Sequence, residues 1–365
     1  MNYINVINII NYLREKPYIK EYLNNFAKNV KKNFDKELDF NNDFLNDILN
    51  NFNENEGKNT WPNDWILYCC NLNIDYIVDF LSDFDEKSKN YAMLFLIRYL
   101  YCIPFLANIL KIKHNFENEY EYDILLYTQD DIKEQQEYNK TQKNKLAKYK
   151  CADNMDITSY YYKHGIPTLP KEVRKYIENK DFFDIGAFTG DSAVVLKDFS
   201  PNRIFSFEPM EELYAILLKT IEINKLANKV IPINKGLGGK TEIKQLGITE
   251  YNMACNANLS EKKVDFLIIK TDEFCYGTNC TPSLLKLDVE GSEYSIIVEG
   301  SEQLIKEFEP VLLISIYHTP KDFFEIKENL KKWGIGYTFE MEQHNPFRPN
   351  IETILKCYKI KNNTK

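Results

Sequence analysis

The spacing of apolar residues changes near the middle of the chain. Before about residue 150, isoleucine and leucine recur at helical spacing, as at Ile4 and Ile7. From Lys180 onward, short apolar runs of strand length alternate with helical patterns. This change predicts three regions. They are a mainly α-helical N-terminal domain over residues 1–150, a connecting segment over residues 151–180 and an α/β domain over residues 181–365.

The most apolar stretch of the helical region runs from Tyr91 to Leu110. A membrane span would have to hold Arg98 near its centre, so we expect a buried pair of helices that is broken near Pro104. The polar run 127–150 predicts a solvated helix that links the two halves. Residues 51–63 are polar and rich in turn formers, which predicts a loop.

The second half predicts five strands of the strand–helix type. They are Phe182–Ile185, Arg203–Phe207, Val230–Asn234, Leu284–Leu287 and the apolar run that ends at His318. The last two strand-like segments, GIGYTFEME and ETILKCYKI, have no helix between them and predict an antiparallel hairpin. The expected fold is therefore α/β, with a Rossmann-like, seven-stranded, doubly wound sheet that ends in this hairpin.

The composition narrows the class of function. A chain of 365 residues with 44% hydrophobic content can bury two cores. Its net charge of −8 argues against a broad nucleic-acid surface. The eight cysteines have no paired spacing, which is typical of a reduced, cytoplasmic protein. We therefore expect neither a nucleic acid partner nor a membrane span, and the oligomeric state stays open.

The stretch FFDIGAFTGD, from Phe182 to Asp191, reads as a strand followed by a glycine turn that opens a helix. Acids stand at both ends of the turn, at Asp184 and Asp191, where they would repel a pyrophosphate. They suit a ligand with an amino group and a sulfonium, which indicates S-adenosylmethionine. Glu208 ends the next strand, where an acid can accept from both ribose hydroxyls. The alternative is an ordinary turn without a ligand.

FFDIGAFTGD, FEP, LLKLDVEGSE and SIYH follow one another in an order that resembles the FkbM-type family of S-adenosylmethionine-dependent methyltransferases. The resemblance covers about residues 181–360 and leaves the first 150 residues unexplained. It implies a Rossmann-like methyltransferase fold and O-methylation of sugars or other hydroxylated small molecules.

The resemblance also implies roles for individual residues. The methionine part of the cofactor would lie against Asp184, Gly186, Ala187, Gly190 and Asp191. Glu208 would hold the ribose. Phe188 departs from the family pattern, in which a small polar residue is common.

Asp288, Glu290 and His318 are the candidates for acceptor chemistry, because they follow the fourth and fifth strands. Histidine has a suitable unperturbed pKa for a general base, near ~6.5. The carboxylates, and Glu293 after them, can instead cap the helix that follows. The three candidates could together hold a divalent metal, but no ligand spacing supports one.

The sequence thus favours an S-adenosylmethionine-dependent O-methyltransferase that acts on a hydroxyl of a sugar, glycan or related small molecule. Two alternatives stay open: a catalytically silent binding module with the same fold, and an NAD-linked oxidoreductase. The GxxxG spacing of the turn disfavours the second alternative.

Overall fold

The computed structural model describes residues 3–36, 45–50, 61–109, 123–146, 149–153, 155–248 and 262–360. The chain divides into two compact units. The first consists of Met1–Asn139 with Met341–Glu352, and the second of Lys140–Glu340 with Thr353–Lys365.

The described part of Met1–Asn139 is mainly helical, whereas Met341–Glu352 holds the end of a strand and turns. The helices are Ile4–Arg14, Pro17–Phe34, residues 45–50, Trp61–Cys69, Ile74–Ser82, Glu86–Ile97, Ile103–Ile109, Asp123–Leu126 and Gln129–Leu146, the last of which continues into the second unit. Most of the apolar residues at helical spacing are buried, as Ile7 and Ile10 are, but Ile4 at the start of the first helix is exposed. Residues 51–60 of the predicted loop lie outside the described residues. The prediction is wrong for residues 61–63, where a helix has already begun.

The apolar stretch of this unit forms one continuous helical run rather than a broken pair. A π-helical turn, Arg98–Cys102, joins the helices on either side, and the N–H of Ile103 donates to the carbonyl of Arg98. Pro104 has no N–H and would crowd the carbonyl four residues earlier, so a wider turn before it allows the helix to continue. In the described chain, no helix has both the length and the apolar character that crossing a membrane requires.

Arg98 is buried at the centre of the first unit, with 2% of its surface exposed. Its guanidinium donates to Asp131 at 3.1 Å and to the carbonyls of Leu126 at 2.9 Å and Pro349 at 2.8 Å. Asp131 also accepts from the N–H of Thr128. The charge that made a membrane span unfavourable therefore has a buried counter-ion.

The second unit is built on a seven-stranded sheet in the order β3-β2-β1-β7-β8-β10-β9. The strands are β1 (Asp181–Ile185), β2 (Ile204–Phe207), β3 (Val230–Ile233), β7 (Pro282–Leu287), β8 (Val311–Ser315), β9 (Thr338–Gln343) and β10 (Thr353–Tyr358). The first five pair in parallel, and β10 is antiparallel to β8. The predicted doubly wound sheet and its C-terminal hairpin are confirmed.

Helices connect the strands of this sheet. They are Lys171–Ile177, Asp191–Leu196, Glu211–Ile223, Thr271–Thr278, Glu302–Phe308 and Pro320–Lys332. Chain order reverses at β1, which lies between β2 and β7. The carboxyl ends of β1 and β7 therefore lie side by side at the switch point where open α/β sheets bind ligands.

A second, three-stranded sheet has the order β4-β6-β5, with strands Gly236–Gly238, Lys262–Lys270 and Glu242–Ile248. It accounts for the strand-like residues between the third and fourth strands of the main sheet. Phe266 and Ile268 on β6 pack on Met210 and Leu213, which anchors this sheet to the helix after β2.

Arg98→Met should lower the free energy of unfolding by about 3–5 kcal/mol, because it leaves the buried Asp131 carboxylate without its counter-ion. Urea denaturation of the whole protein measures the change. Lys133→Met is the matched control, since it removes an exposed ion pair with Asp130 and should change stability little. Equal effects of the two substitutions would contradict the assignment of Arg98.

Candidate active site

The turn after β1 is held by the end of β2. The N–H groups of Gly186 and Ala187 both donate to the carbonyl of Phe207, at 3.1 and 2.9 Å. The N–H of Gly190 closes the turn on the carbonyl of Ala187 at 2.8 Å. These bonds direct the turn across the carboxyl ends of the two strands. Helix Asp191–Leu196 begins directly after it.

Gly186 is required by its neighbours in the protein. Its φ is +79°, and a Cβ at this position would lie 1.9 Å from the carbonyl oxygen of Asp288. The ends of β1 and β7 therefore approach so closely that no side chain fits between them. At Gly190, φ is +92° and a Cβ would lie 2.9 Å from the side chain of Leu217, on the helix after β2.

Asp184 is fully buried in β1 beside a buried lysine. The ammonium of Lys286 lies 3.3 Å from one oxygen of Asp184 and donates to the carbonyl of Gly186 at 2.7 Å. The hydroxyl of Ser206 donates to the other oxygen at 3.3 Å. Burial raises the pKa of Asp184 to about 6, although the lysine opposes the shift. Asp184 thus lies under the turn and ties β1 to β7.

Glu208 bridges the two loops that follow β1 and β2. One carboxylate oxygen accepts from the N–H of Phe188 at 3.0 Å, and the other accepts from the N–H of Met210 at 2.9 Å. Burial raises the pKa of Glu208 to about 7, and the two backbone donors only partly offset it. Each oxygen keeps a second lone pair that can accept from a ligand. The predicted position of Glu208 beside the glycine turn is therefore what the structure has.

Asp191 meets a carboxylate that the sequence motifs do not include. Its side chain accepts from the backbone N–H of Asp156 at 3.1 Å and from that of Ser192 at 2.9 Å. Part of the Asp156 residue reaches solvent, but many protein atoms surround its carboxyl group. This burial, together with the charge of Asp191, raises the pKa of Asp156 to about 6. Residues just before the α/β domain thus add a third aspartate to this edge.

The turn after β7 carries Asp288 and Glu290, and Glu293 closes it. One oxygen of Glu293 accepts from the N–H of Val289 at 2.9 Å, and the other accepts from the N–H of Gly291 at 2.9 Å. Glu293 also contacts Nδ1 of His318 at 2.8 Å. It is fully buried. Capping alone therefore does not describe Glu293.

His318 lies among carboxylates. Its Nε2 is 3.6 Å from Asp288 and 3.6 Å from Glu290, on the opposite side of the ring from Glu293. Burial by itself would lower the pKa of His318, but these three carboxylates outweigh it and hold the pKa well above the usual value. The ordinary pKa of histidine, near ~6.5, therefore does not apply to this ring. The carboxylates thus favour the imidazolium, which donates hydrogen bonds and must lose a proton before it can act as a base.

In the described chain, three side chains lie close enough together to be considered as ligands of one divalent metal ion. Single donor atoms of Asp288, Glu293 and His318 lie within 4.8 Å of one another. Both oxygens of Glu293, however, already accept hydrogen bonds from the protein. The two ring nitrogens of His318 also face opposite neighbours. A shared ion would have to displace these contacts, so the donor set does not fit a metal as it stands.

The predicted residues fall into two groups at one edge of the sheet. The proposed cofactor residues follow β1 and β2, and Asp288, Glu290 and His318 follow β7 and β8. Sequence reasoning missed Asp156 and Lys286, and it considered Glu293 only as a cap. For Lys286 a signal was present, because a lysine inside an apolar strand needs a buried counter-ion.

Comparison with known proteins decides what kind of domain this is. Residues 184–339 match the family model described as the methyltransferase FkbM domain. The chain contains a methyltransferase FkbM domain. The matched residues include both strand ends that carry the site. No curated protein sequence matches the chain.

One solved structure supports this fold, and two further methyltransferases match it more weakly. The FkbM methyltransferase from Methylobacillus flagellatus KT superposes with a TM-score of 0.53 at 16% sequence identity. The match covers 83% of this chain, which spans 63% of that protein's length. The precorrin-6Y C5,15-methyltransferase from Geobacter metallireducens GS-15 matches with a TM-score of 0.36 and 12% identity, over 59% of this chain and 96% of that one. The O-methyltransferase from Bacillus cereus, in complex with SAH, has a TM-score of 0.33 and 12% identity, over 67% and 97%.

Gly186→Ala should lower the free energy of unfolding by about 2–4 kcal/mol, because the new methyl group overlaps a backbone carbonyl and the residue keeps a positive φ. Gly334→Ala is the matched control. Its φ is +69° and a Cβ there has no neighbour within 4 Å, so the substitution should cost only about 1–2 kcal/mol. Urea denaturation compares the two variants. Equal losses would mean that the close approach to Asp288 is unimportant.

Proposed function

We infer that this protein transfers a methyl group from S-adenosylmethionine to a hydroxyl of a sugar, glycan or related small molecule. The observation that carries the proposal is the pairing of two groups of polar residues at adjacent strand ends. One group, around the glycine turn, suits a cationic nucleoside, and the other suits a hydroxyl acceptor. The FkbM domain supports the choice of methyl donor.

Asp184, Asp191 and Asp156 give the cofactor side an excess of negative charge, and Lys286 is the buried cation beside them. Burial, and to a smaller extent the charge of Asp191, raises the pKa of both Asp184 and Asp156, so ionising these carboxyls is costly. An ammonium or sulfonium group would favour their ionised forms. Gly186, Ala187 and Gly190 have little or no side chain, which would leave room for a ligand to lie across the turn. Glu208 would accept hydrogen bonds from the ribose hydroxyls of that ligand.

S-adenosylmethionine supplies an electrophilic methyl carbon, whose bond to sulfur breaks as its bond to the acceptor oxygen forms. The acceptor hydroxyl must lose its proton to a group of the protein. Asp288 is suited to this because it is partly accessible, lies at the end of β7 and accepts protons when ionised. His318, held as an imidazolium, can donate a hydrogen bond to the acceptor or to Asp288. Glu290 is more exposed and stays the third candidate.

Screening with labelled S-adenosylmethionine against a panel of carbohydrates tests the proposed reaction. Transfer of label to a hydroxyl would support it. Binding of S-adenosylmethionine without transfer to any member of a broad panel, including lipids and peptides, would favour a silent binding module. Binding of NAD in place of S-adenosylmethionine would favour the oxidoreductase.

Glu208→Gln should weaken S-adenosylmethionine binding by about 1.5–3 kcal/mol, the range for hydrogen bonds to a charged group. Calorimetry on the folded variant measures this. Glu212→Gln, which changes an exposed carboxylate four residues later, is the matched control and should bind as the wild type does. Unchanged affinity in Glu208→Gln would place the ribose elsewhere.

The same residue should make cofactor binding depend on pH. Because the pKa of Glu208 is raised to about 7, the carboxyl holds a proton below that pH, and a ligand that prefers the carboxylate must displace it. Affinity should rise as the pH increases from 5.5 to 7.5, with release of protons on binding. Calorimetry in two buffers of different ionisation enthalpy detects the release, which should be smaller in Glu208→Gln.

Asp288→Asn should lower kcat by about 10²–10⁴-fold, the usual contribution of a positioned base, while S-adenosylmethionine still binds. The measurement uses whichever acceptor the panel identifies. Glu290→Gln provides the comparison, since its carboxylate is at a similar distance from His318 but more exposed. A larger loss in Glu290→Gln than in Asp288→Asn would transfer the role of base to Glu290.

A further inference from the structure

Glu293 contacts both the turn after β7 and His318, which is more than a role as a helix cap requires. Its two carboxylate oxygens accept from the N–H groups of Val289 and Gly291, and one of them also contacts Nδ1 of His318. The side chain is fully buried. A single carboxylate thus joins the turn after β7 to the histidine after β8.

The turn that Glu293 closes has an unfavourable backbone. Glu290 has a φ of +57° and Gly291 a φ of +96°. Glycine tolerates this region, but a glutamate there is strained because its Cβ crowds the backbone. The two hydrogen bonds to Glu293 lie on either side of Glu290 and offset that strain. They therefore keep the Glu290 carboxylate within 3.6 Å of the imidazole.

The protonation of His318 follows from the same contact. Burial by itself would raise the pKa of Glu293, but His318 and the backbone donor at Val289 outweigh it and lower the pKa below its usual value. An ionised carboxylate can only accept, so Nδ1 must carry a proton. Nε2 is then the nitrogen that faces Asp288 and Glu290, at 3.6 Å from each.

We propose that Glu293 is a positioning residue, which acts through His318 and through the turn that carries Asp288 and Glu290. Its carboxylate fixes which ring nitrogen faces the acceptor side and keeps both acidic side chains beside that nitrogen. This deepens the proposed function, because the use of Asp288 as a base rests on it. The arrangement of Glu293 and His318 can nevertheless be tested without an acceptor.

Four carboxylates act on His318. Glu293, Glu290 and Asp288 contact the ring as described. Asp322, in the first turn of helix Pro320–Lys332, also acts on its charge and has a pKa of its own raised to about 7 by burial and by Glu293. Tyr317 packs against the ring with centroids 4.1 Å apart. Removing the charge of Glu293 therefore leaves three other carboxylates in place, and only part of the effect on His318 should be lost.

Histidine NMR measures this directly, because the chain has only four histidines. His318→Gln identifies the resonances of His318 in the labelled full-length protein. In Glu293→Gln the pKa of His318 should fall by about one unit or more, since an opposite charge in contact is worth about 1–3 units. Glu299→Gln is the matched control. It changes an exposed carboxylate in the same segment and should leave the titration of His318 unchanged.

A titration of His318 in folded Glu293→Gln that matches the wild type would overturn the proposal. The wild-type protein gives a second test, which does not depend on any variant folding. Above its pKa, His318 should be the tautomer with the proton on Nδ1, and nitrogen shifts report this. A proton on Nε2 instead would also overturn the proposal. Neither result depends on S-adenosylmethionine binding or on methyl transfer, so failure of the proposed function would be seen separately.

Discussion

Gly186 and Asp288 lie at the ends of two adjacent parallel strands, with no room for a side-chain carbon between them. That approach brings the turn after β1 against the turn after β7. The proposed cofactor residues and the proposed acceptor residues come from parts of the chain about a hundred positions apart, and this contact brings them to the same edge of the sheet. A hydrogen bond from the ammonium group of Lys286, on β7, to the carbonyl of Gly186 also holds the two strand ends together. The fold therefore sets the distance between the two halves of the site mainly through backbone atoms.

Much of the α/β unit was predictable because its periodicity is local. Strands such as Phe182–Ile185 and the turn at Gly186 follow from residues next to one another in the sequence. The doubly wound arrangement and the closing hairpin followed from general rules of topology, whereas the order of the strands was not predicted. The continuous helix through Arg98–Cys102 was not predicted, because a π-helical turn has no reliable sequence signal and proline usually ends a helix.

The chemistry of the site was harder to predict than its location. His318 was predicted to end the fifth strand, but β8 ends at Ser315 and His318 lies in the loop after it. Its pKa depends on Glu293, which is 25 residues away in sequence and in direct contact in space. Asp156 was missed because it lies in a segment without a motif. A residue type suggests a role, whereas its protonation state depends on neighbours that only the fold reveals. For this reason the sequence suggested that His318 is a base, whereas its neighbours in the structure favour the protonated ring.

Arg98 donates a hydrogen bond to the carbonyl of Pro349, which is synthesised 251 residues later. Residues 341–352 belong to the first unit, although nearly all of the second unit precedes them in the chain. On a ribosome that adds ~5–20 residues per second, the ~200 residues in between take roughly 10–40 s to appear. Through that interval the N-terminal helices lack a segment of their own core. The first unit is thus completed only after residues 140–340 of the second unit have been synthesised.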